Sequence, residues 1–360
     1  MKRLIFLAGW ILALLATAVT SAAISPHSTT ATSATNSYMT AFPLPWPTSQ
    51  PLHIVVESPT KAWFTLPGAD AIASLTITST VDYAFAPYPV TVASEPYDLA
   101  LAGDYVWFTL RAANQIGRLH KATGVIDYYD VDTPHSAPAG IDVAPGGMVW
   151  FAQENGNQLG RLNPANGVID EFLYERPNAR LHDLVVQNDN IIWATAPGVQ
   201  RVIAYVFAQN FEDFVEEPTS ATNSQARYMA LSGNVAYISA ENSNRVGRHA
   251  PGTLSIWRWY TAPSPDSGLS AIAFNNFDGV NRIWVAQRNI NRVLLIETVS
   301  GGAPLFYWEQ TLPSANSLPT GLALAQNGVM WITAPGSNEI VVWSPPYLDL
   351  KRIYLPILLR

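Results

Sequence analysis

Groups able to take a proton or to recognise a ligand recur at two positions that repeat seven times along this chain of 360 residues. The first position opens an apolar stretch and reads Leu52, Tyr97, Ala139, His182, Arg227, Ser270 and Thr320. The second lies three residues after a recurring aromatic and reads Leu66, Leu110, Gln153, Ala196, Ala240, Gln287 and Ala334. His182 is the one imidazole at either position, and a neutral imidazole can accept a proton near neutral pH. The alternative for a lone histidine in a strand, a hydrogen-bonded structural role, stays open beside it. Tyr97, Gln153, Arg227 and Gln287 are candidate ligand-binding residues, since aromatic, amide and cationic groups suit recognition of a small polar or peptidic ligand better than metal chemistry. Neither position holds a carboxylate, and Gln or Ala cannot neutralise a divalent cation as Glu does. No metal site is therefore placed and no cofactor is expected.

Other motifs add little. The stretch 275–281 offers oxygen ligands but lacks the terminal Glu of a calcium loop. No Gly-x-Ser-x-Gly elbow and no glycine-rich phosphate loop is present. His53, His120, His135 and His249 fall at no shared repeat position and are expected to face solvent without a role.

The elements that must position these residues are set by the repeat itself. Seven aromatic residues are each followed, seven positions later, by Asn, Asp or Gln: Trp63 with Asp70, Trp107 with Asn114, Trp150 with Asn157, Trp193 with Gln200, Tyr237 with Asn244, Trp284 with Asn291, and Trp331 with Asn338. Successive copies lie 43 to 47 residues apart, the length of one four-stranded propeller blade. The spacing predicts an all-β, seven-bladed propeller with candidate innermost strands at 51–56, 96–101, 138–143, 181–186, 227–231, 270–274 and 319–324. The aromatic ring of the next strand is expected to pack between blades. The Asn that follows is read as a turn residue, bonding to its own backbone and tolerating left-handed geometry. Arg118, Arg161 and Arg248, four positions later, are expected to brace one blade on the next. Blade seven has no fourth strand after 340–343, whereas 36–45 has the outer-strand pattern of 306–313. The amino-terminal strand is thus expected to join blade seven and close the ring, which removes its open edge.

The run Val106-Trp107-Phe108-Thr109, then 114–119, then 124–128, resembles the repeat of the streptogramin B lyases, also called virginiamycin B lyases, and the resemblance covers the whole ring. It implies a magnesium-dependent carbon–oxygen lyase that opens a cyclic depsipeptide ester, with a base taking a proton beside a carbonyl while the metal holds the developing charge. His182, in Leu181-His182-Asp183-Leu184, matches the family histidine, and the resemblance makes it the candidate catalytic residue. The family glutamate is absent at all seven of its positions. Glu154 and Glu241 fall one residue later, which on a strand turns a side chain to the opposite face.

Bulk composition bounds the rest. With 48% apolar and only 13% charged residues the chain has material for an extensive core, so disorder is excluded for most of it. Residues 1–23, basic at the start and then apolar to small residues, read as a secretory signal peptide, with an uncleaved anchor as the alternative. Residues 24–35 form a Ser/Thr-rich leader, 36–347 the propeller, and 348–360 an apolar tail read as a sorting element or as a competitor for the closing strand. Loss of Lys2 and Arg3 takes the 20 basic residues to 18 against 27 acidic ones, which argues against a nucleic-acid partner. With no Cys there is no disulfide or thiolate metal site. The expectation is a secreted or surface-exposed monomer, without a membrane span after signal cleavage, that binds a ligand or protein partner at its channel mouth. The alternatives are a divergent lyase with His182 as base and magnesium as cofactor, and a cell-surface interaction module.

Overall fold

The computed structural model describes residues 27–28, 35–36, 38–79, 81–208, 211–218, 224–250, 257–277, 279–298 and 304–344. The signal segment, most of the leader and the apolar tail lie outside the described residues. Two pieces of the leader region are strands: His27–Ser28 pairs with the outer strand of blade one, and Thr35–Asn36 with the closing strand.

Seven small antiparallel sheets stand in a ring, each blade running strand by strand from the axis outward. The inner strands are Ile54–Ser58, Pro96–Ala102, Pro138–Val143, Leu184–Asn188, Ala226–Ser232, Leu269–Phe277 and Leu322–Leu324. They touch one another around the axis, the last against the first. The ring closes as the repeat requires. Met39–Pro43 pairs antiparallel with Glu339–Trp343 and supplies the fourth strand of blade seven.

Apolar burial is divided among the blade interfaces, because each sheet has two covered faces. Successive residues of a strand point to opposite faces. Trp107 therefore packs toward blade three with Ile141, Val149 and Phe151, while the next residue, Phe108, packs back toward blade one with Trp63. The same holds around the ring: each recurring aromatic sits in the cluster shared with the following blade, ending with Trp331 against Ile54 and Phe64. All seven are nearly sealed from water. Each such ring removes roughly 150–250 Å² from solvent, about 4–6 kcal/mol before ordering costs. Gly117 and Gly160 have a packing cause as well, since a Cβ there would lie 2.1 Å from the rings of Phe108 and Phe151, their cross-strand neighbours.

The recurring Asn is left-handed in every blade that has it, with φ of 52–58°, and Asp70 and Gln200 adopt the same geometry. Its side chain does something different from the expected bond to its own backbone. Asn114 Nδ2 donates to the carbonyls of Val131 and Thr133, and its Oδ1 accepts from the backbone N–H and hydroxyl of Ser136. It thus clamps the connection that leads into the next blade. Asn157, Asn244 and Asn291 repeat the clamp. Asn338 performs it across the closure, donating to Trp46 O at 2.8 Å and accepting from the Ser49 hydroxyl at 2.8 Å. The arginines behave unequally. Arg118 stays within its blade, paired with Asp127 and stacked on Trp107, whereas Arg161 pairs with Asp170 and also covers Phe207 of the next blade.

Candidate functional site

The inner strands begin with an irregular turn that places side chains at the axis. In blade two the pairing jumps from Pro96–Leu110 to Leu99–Phe108, so two intervening residues, Tyr97 and Asp98, face one on the partner strand. Blades three, five and six carry comparable shifts. Such bulges turn side chains out of the regular alternation. In blades one, two and four a threonine two residues after the aromatic ties the start of the inner strand to the next blade. Thr65, Thr109 and Thr195 each accept from the backbone N–H of His53, Asp98 and Asp183 within their own blade. Each then donates to a carbonyl of the following blade: Tyr97, Ala139 and Arg227. Thr333 does the same between Gly321 and Leu52 at the closure.

Four rings meet at this end of the axis. Tyr97 lies 4.9 Å from His53 and 5.8 Å from His182, and Tyr228 lies 5.8 Å and 5.6 Å from the same two histidines. His182 is 1% exposed. Its Nε2 is 3.1 Å from the Tyr97 hydroxyl and its Nδ1 is 3.5 Å from Glu154. That geometry suits the tautomer with the proton on Nδ1, directed at the carboxylate, and with Nε2 accepting from the tyrosine. Burial lowers the His182 pKa against the opposing pull of Glu154, so the imidazole is neutral. Burial holds both tyrosines protonated, Tyr97 well above the usual value and Tyr228 at about 12.

Glu154 is the pivot of the charge pattern. It follows the last residue of its strand, where the chain turns, and the alternation rule that directed it away from the axis no longer applies. Its carboxylate is 2% exposed and receives Arg111 Nη2 at 2.5 Å and Arg180 Nη2 at 2.7 Å. Burial alone would raise its pKa, but the contacts of His182, Arg111 and Arg180 bring it to about 2. Arg111 also lies over the Tyr97 ring at 5.0 Å. Glu241, at the same turn of blade five, faces Arg227 Nε at 3.5 Å.

The histidines outside the repeat need correction too. His53 is no solvent residue: its Nδ1 pairs with Asp98 at 3.1 Å. Burial opposes a charge on it, and Asp98 outweighs burial to raise the pKa. His249 is fully buried against Trp193 and Trp257.

Tyr97, His182 and Arg227 come together at this mouth; Gln153 and Gln287 do not. On their strands they share a face with Phe151 and Val285, which points to the preceding blade instead of the axis. Gln153 Nε2 donates to Glu171, whose carboxylate holds Thr133. Gln287 Nε2 donates to Glu309, which holds Ser264. Both amides are fully buried and fasten the outer strand to the entering connection.

Further along the inner strands is a cavity of about 380 Å³, lined by Val55, Leu99, Leu101, Ile141, Leu184 and Asp142 among others. Its carboxylate belongs to a second stitch. Asp98, Asp142 and Asp183 accept from the backbone N–H of Ile141, Val186 and Met229, one blade onward in each case. They satisfy donors that the inner edge of a blade would leave unpaired. Burial pushes Asp142 up to about 6, and burial with the nearby Asp98 charge raises Asp183 as well. A raised acid pKa means that the folded state holds the proton more tightly. The Asp142 contribution is therefore complete below about pH 4 and lost as pH rises through about 6. Asp142→Asn is expected to remove a fall in stability of about 3 kcal/mol across that window, read by urea unfolding on either side of it. An unchanged slope would reject the assignment.

Among the described residues, no group of three or more His, Asp or Glu side chains stands in an arrangement able to hold a metal.

The family model of the virginiamycin B lyase family matches residues 27–248. Among solved structures, a streptogramin B lyase is 24% identical with a TM-score of 0.75, over 85% of this chain and 97% of that one. Selenomethionine-substituted virginiamycin B lyase from Staphylococcus aureus is 22% identical with a TM-score of 0.74, over 85% and 99%. A catalytically inactive variant of the S. aureus enzyme with quinupristin is 22% identical with a TM-score of 0.73 over the same shares. At these identities the structural likeness is one of fold. No curated protein matches the chain.

Proposed function

The chain belongs to the virginiamycin B lyase family, and from that premise we propose that its channel mouth recognises a small polar or peptidic ligand, or a partner protein, without performing the elimination associated with the family name. The neutralisation of Glu154 carries this reading. Its two oxygens already receive two guanidinium groups. Magnesium requires near-octahedral oxygen ligands and two adjacent cations would oppose it. Asp98 and Asp183 spend their oxygens on backbone amides. This donor set does not fit a magnesium ion.

His182 supports the same reading. A general base must reach the proton it removes. The His182 ring is sealed, with Tyr97 and Glu154 at its two nitrogens. Its work here is to fix the Tyr97 hydroxyl and so the floor of the mouth. Arg180 and Arg227, more exposed above that floor, supply directional donors. Among the described residues no helix is long and apolar enough to cross a membrane. On the apolar amino-terminal run we also read the chain as exported.

Two measurements test the proposal together. Quinupristin incubated with the protein and magnesium chloride is expected to yield no linear product by chromatography. A panel of short acetylated peptides, screened by saturation-transfer NMR, is expected to contain binders whose signal disappears in Tyr97→Ala. Ring opening that His182→Ala abolishes would restore the lyase reading, and a panel without a single binder would remove the recognition reading.

A further inference from the structure

The sign of the charge at the mouth is opposite to that of the protein. The chain as a whole carries a formal net charge of −7. At the mouth, Arg111, Arg180 and Arg227 expose 24%, 56% and 31% of their side chains. Of the two carboxylates that face them, Glu241 exposes 32% and Glu154 only 2%. With Glu154 ionised although buried, these groups sum to three guanidinium groups against two carboxylates, one net positive charge. Glu154 holds two of those groups in place from below while its own charge is hidden from solvent. Arg111 is further held flat over the Tyr97 ring. The Nε of Arg227 is buried, makes no hydrogen bond and lies 3.5 Å from the Glu241 carboxylate.

We propose that this mouth is a carboxylate-recognition site, in which Arg180 and Arg227 receive the carboxylate of a peptidic ligand and the Tyr228 ring receives its apolar part. The proposal rests on the recognition reading above and names the ligand chemistry of that same site. The physical grounds are threefold. Guanidinium groups present paired donors that match the two oxygens of a carboxylate. Arg180 is held before binding by Glu154 and Arg227 faces Glu241, so part of their side-chain freedom is already lost before association. A net positive cluster of side chains in an otherwise acidic protein also attracts anions to one place on the surface.

The carboxylate could be a chain terminus or an acidic side chain, and the test separates the two. The probes are N-acetylphenylalanine, its amide, and N-acetylaspartyl amide, each titrated against the full chain by NMR at one salt concentration. The acetylated amino acid is expected to bind roughly tenfold or more tightly than its amide, the magnitude of one charge-assisted hydrogen bond. Arg227→Gln and Arg180→Gln should each erase most of that preference. Binding of the aspartyl probe alone would assign the site to acidic side chains, and binding of the phenylalanine acid alone to chain termini; either outcome supports the proposal.

Equal binding of acid and amide would overturn carboxylate recognition and leave the recognition reading standing. Absence of binding by all three probes would overturn the carboxylate site, and an accompanying failure of the wider panel would remove the recognition reading with it. The acid–amide comparison uses the unaltered protein, so a variant that fails to fold does not weaken the test.

Discussion

Asn114→Ala is expected to lower the unfolding free energy by about 4–5 kcal/mol, measured by urea denaturation at neutral pH. The side chain makes four hydrogen bonds of 2.8–3.0 Å to a connection 17 to 22 residues away. A bond of this kind contributes about 1 kcal/mol net, and leaving buried partners unsatisfied costs more than that average. Ser136, which loses its acceptor, is fully buried. Alanine must also adopt the φ of 58° that asparagine tolerates, at about 1 kcal/mol. Asn114→Gly separates the two causes, because glycine relieves the backbone and restores none of the bonds. It should recover about 1 kcal/mol and no more. Against a typical domain stability of about 5–15 kcal/mol the alanine variant is left marginal. A loss below about 1 kcal/mol would mean that the clamp closes no connection of consequence.

Glu154→Gln is the second large effect, and its pH dependence runs opposite to that of Asp142. The folded protein lowers the Glu154 pKa to about 2 from 4.5, so its contribution is present above about pH 4.5 and lost as pH falls through about 2. That shift corresponds to about 3 kcal/mol. The glutamine variant is expected to lose this amount at neutral pH and to show a flatter acid limb. The group is 2% exposed, so solvent screening removes little of the effect. His182 gives a second readout. Glu154 is the partner that raises the His182 pKa against burial. Without the carboxylate the imidazole should stay neutral to lower pH, and its preference for a proton on Nδ1 should weaken, both visible in the ring nitrogen shifts. Stability and shifts unchanged from the parent would reject Glu154 as the pivot of the mouth.

Much of the fold was legible because the repeat samples one physical constraint seven times. Trp63, Trp107 and their successors each fill one interface between blades, so their spacing reports blade length directly. The closing strand was legible for a related reason, since residues 36–45 copy the pattern of an outer strand and blade seven lacked one. The clamp made by Asn114 was only half legible. Its left-handed backbone follows from residue type, but its partners lie in the next connection, and nothing in a local window names them.

The mouth was less legible, and the cause is the point at which a strand ends. Gln153 and Glu154 are neighbours, and a period-two argument assigns them to opposite faces. Because the strand stops at Gln153, the first is locked into the blade flank by Glu171 while the second swings to His182. Arg111 occupies the corresponding turn of the preceding blade, and that opposite-charge pairing was available to a reader aligning the seven turns. His53 offered no such cue, for its partner Asp98 comes from the next blade.

The sequence by itself determined the number of blades, their length, the aromatic at each interface and the way the ring closes, because these depend on patterns within one blade and on their repetition. Tertiary structure alone decided which side chains share the mouth, which carboxylates are neutralised and which histidines are sealed. Those properties arise where turns from different blades converge on one axis. Convergence depends on where strands bulge and end, to within a single residue, and the repeat period does not carry that information.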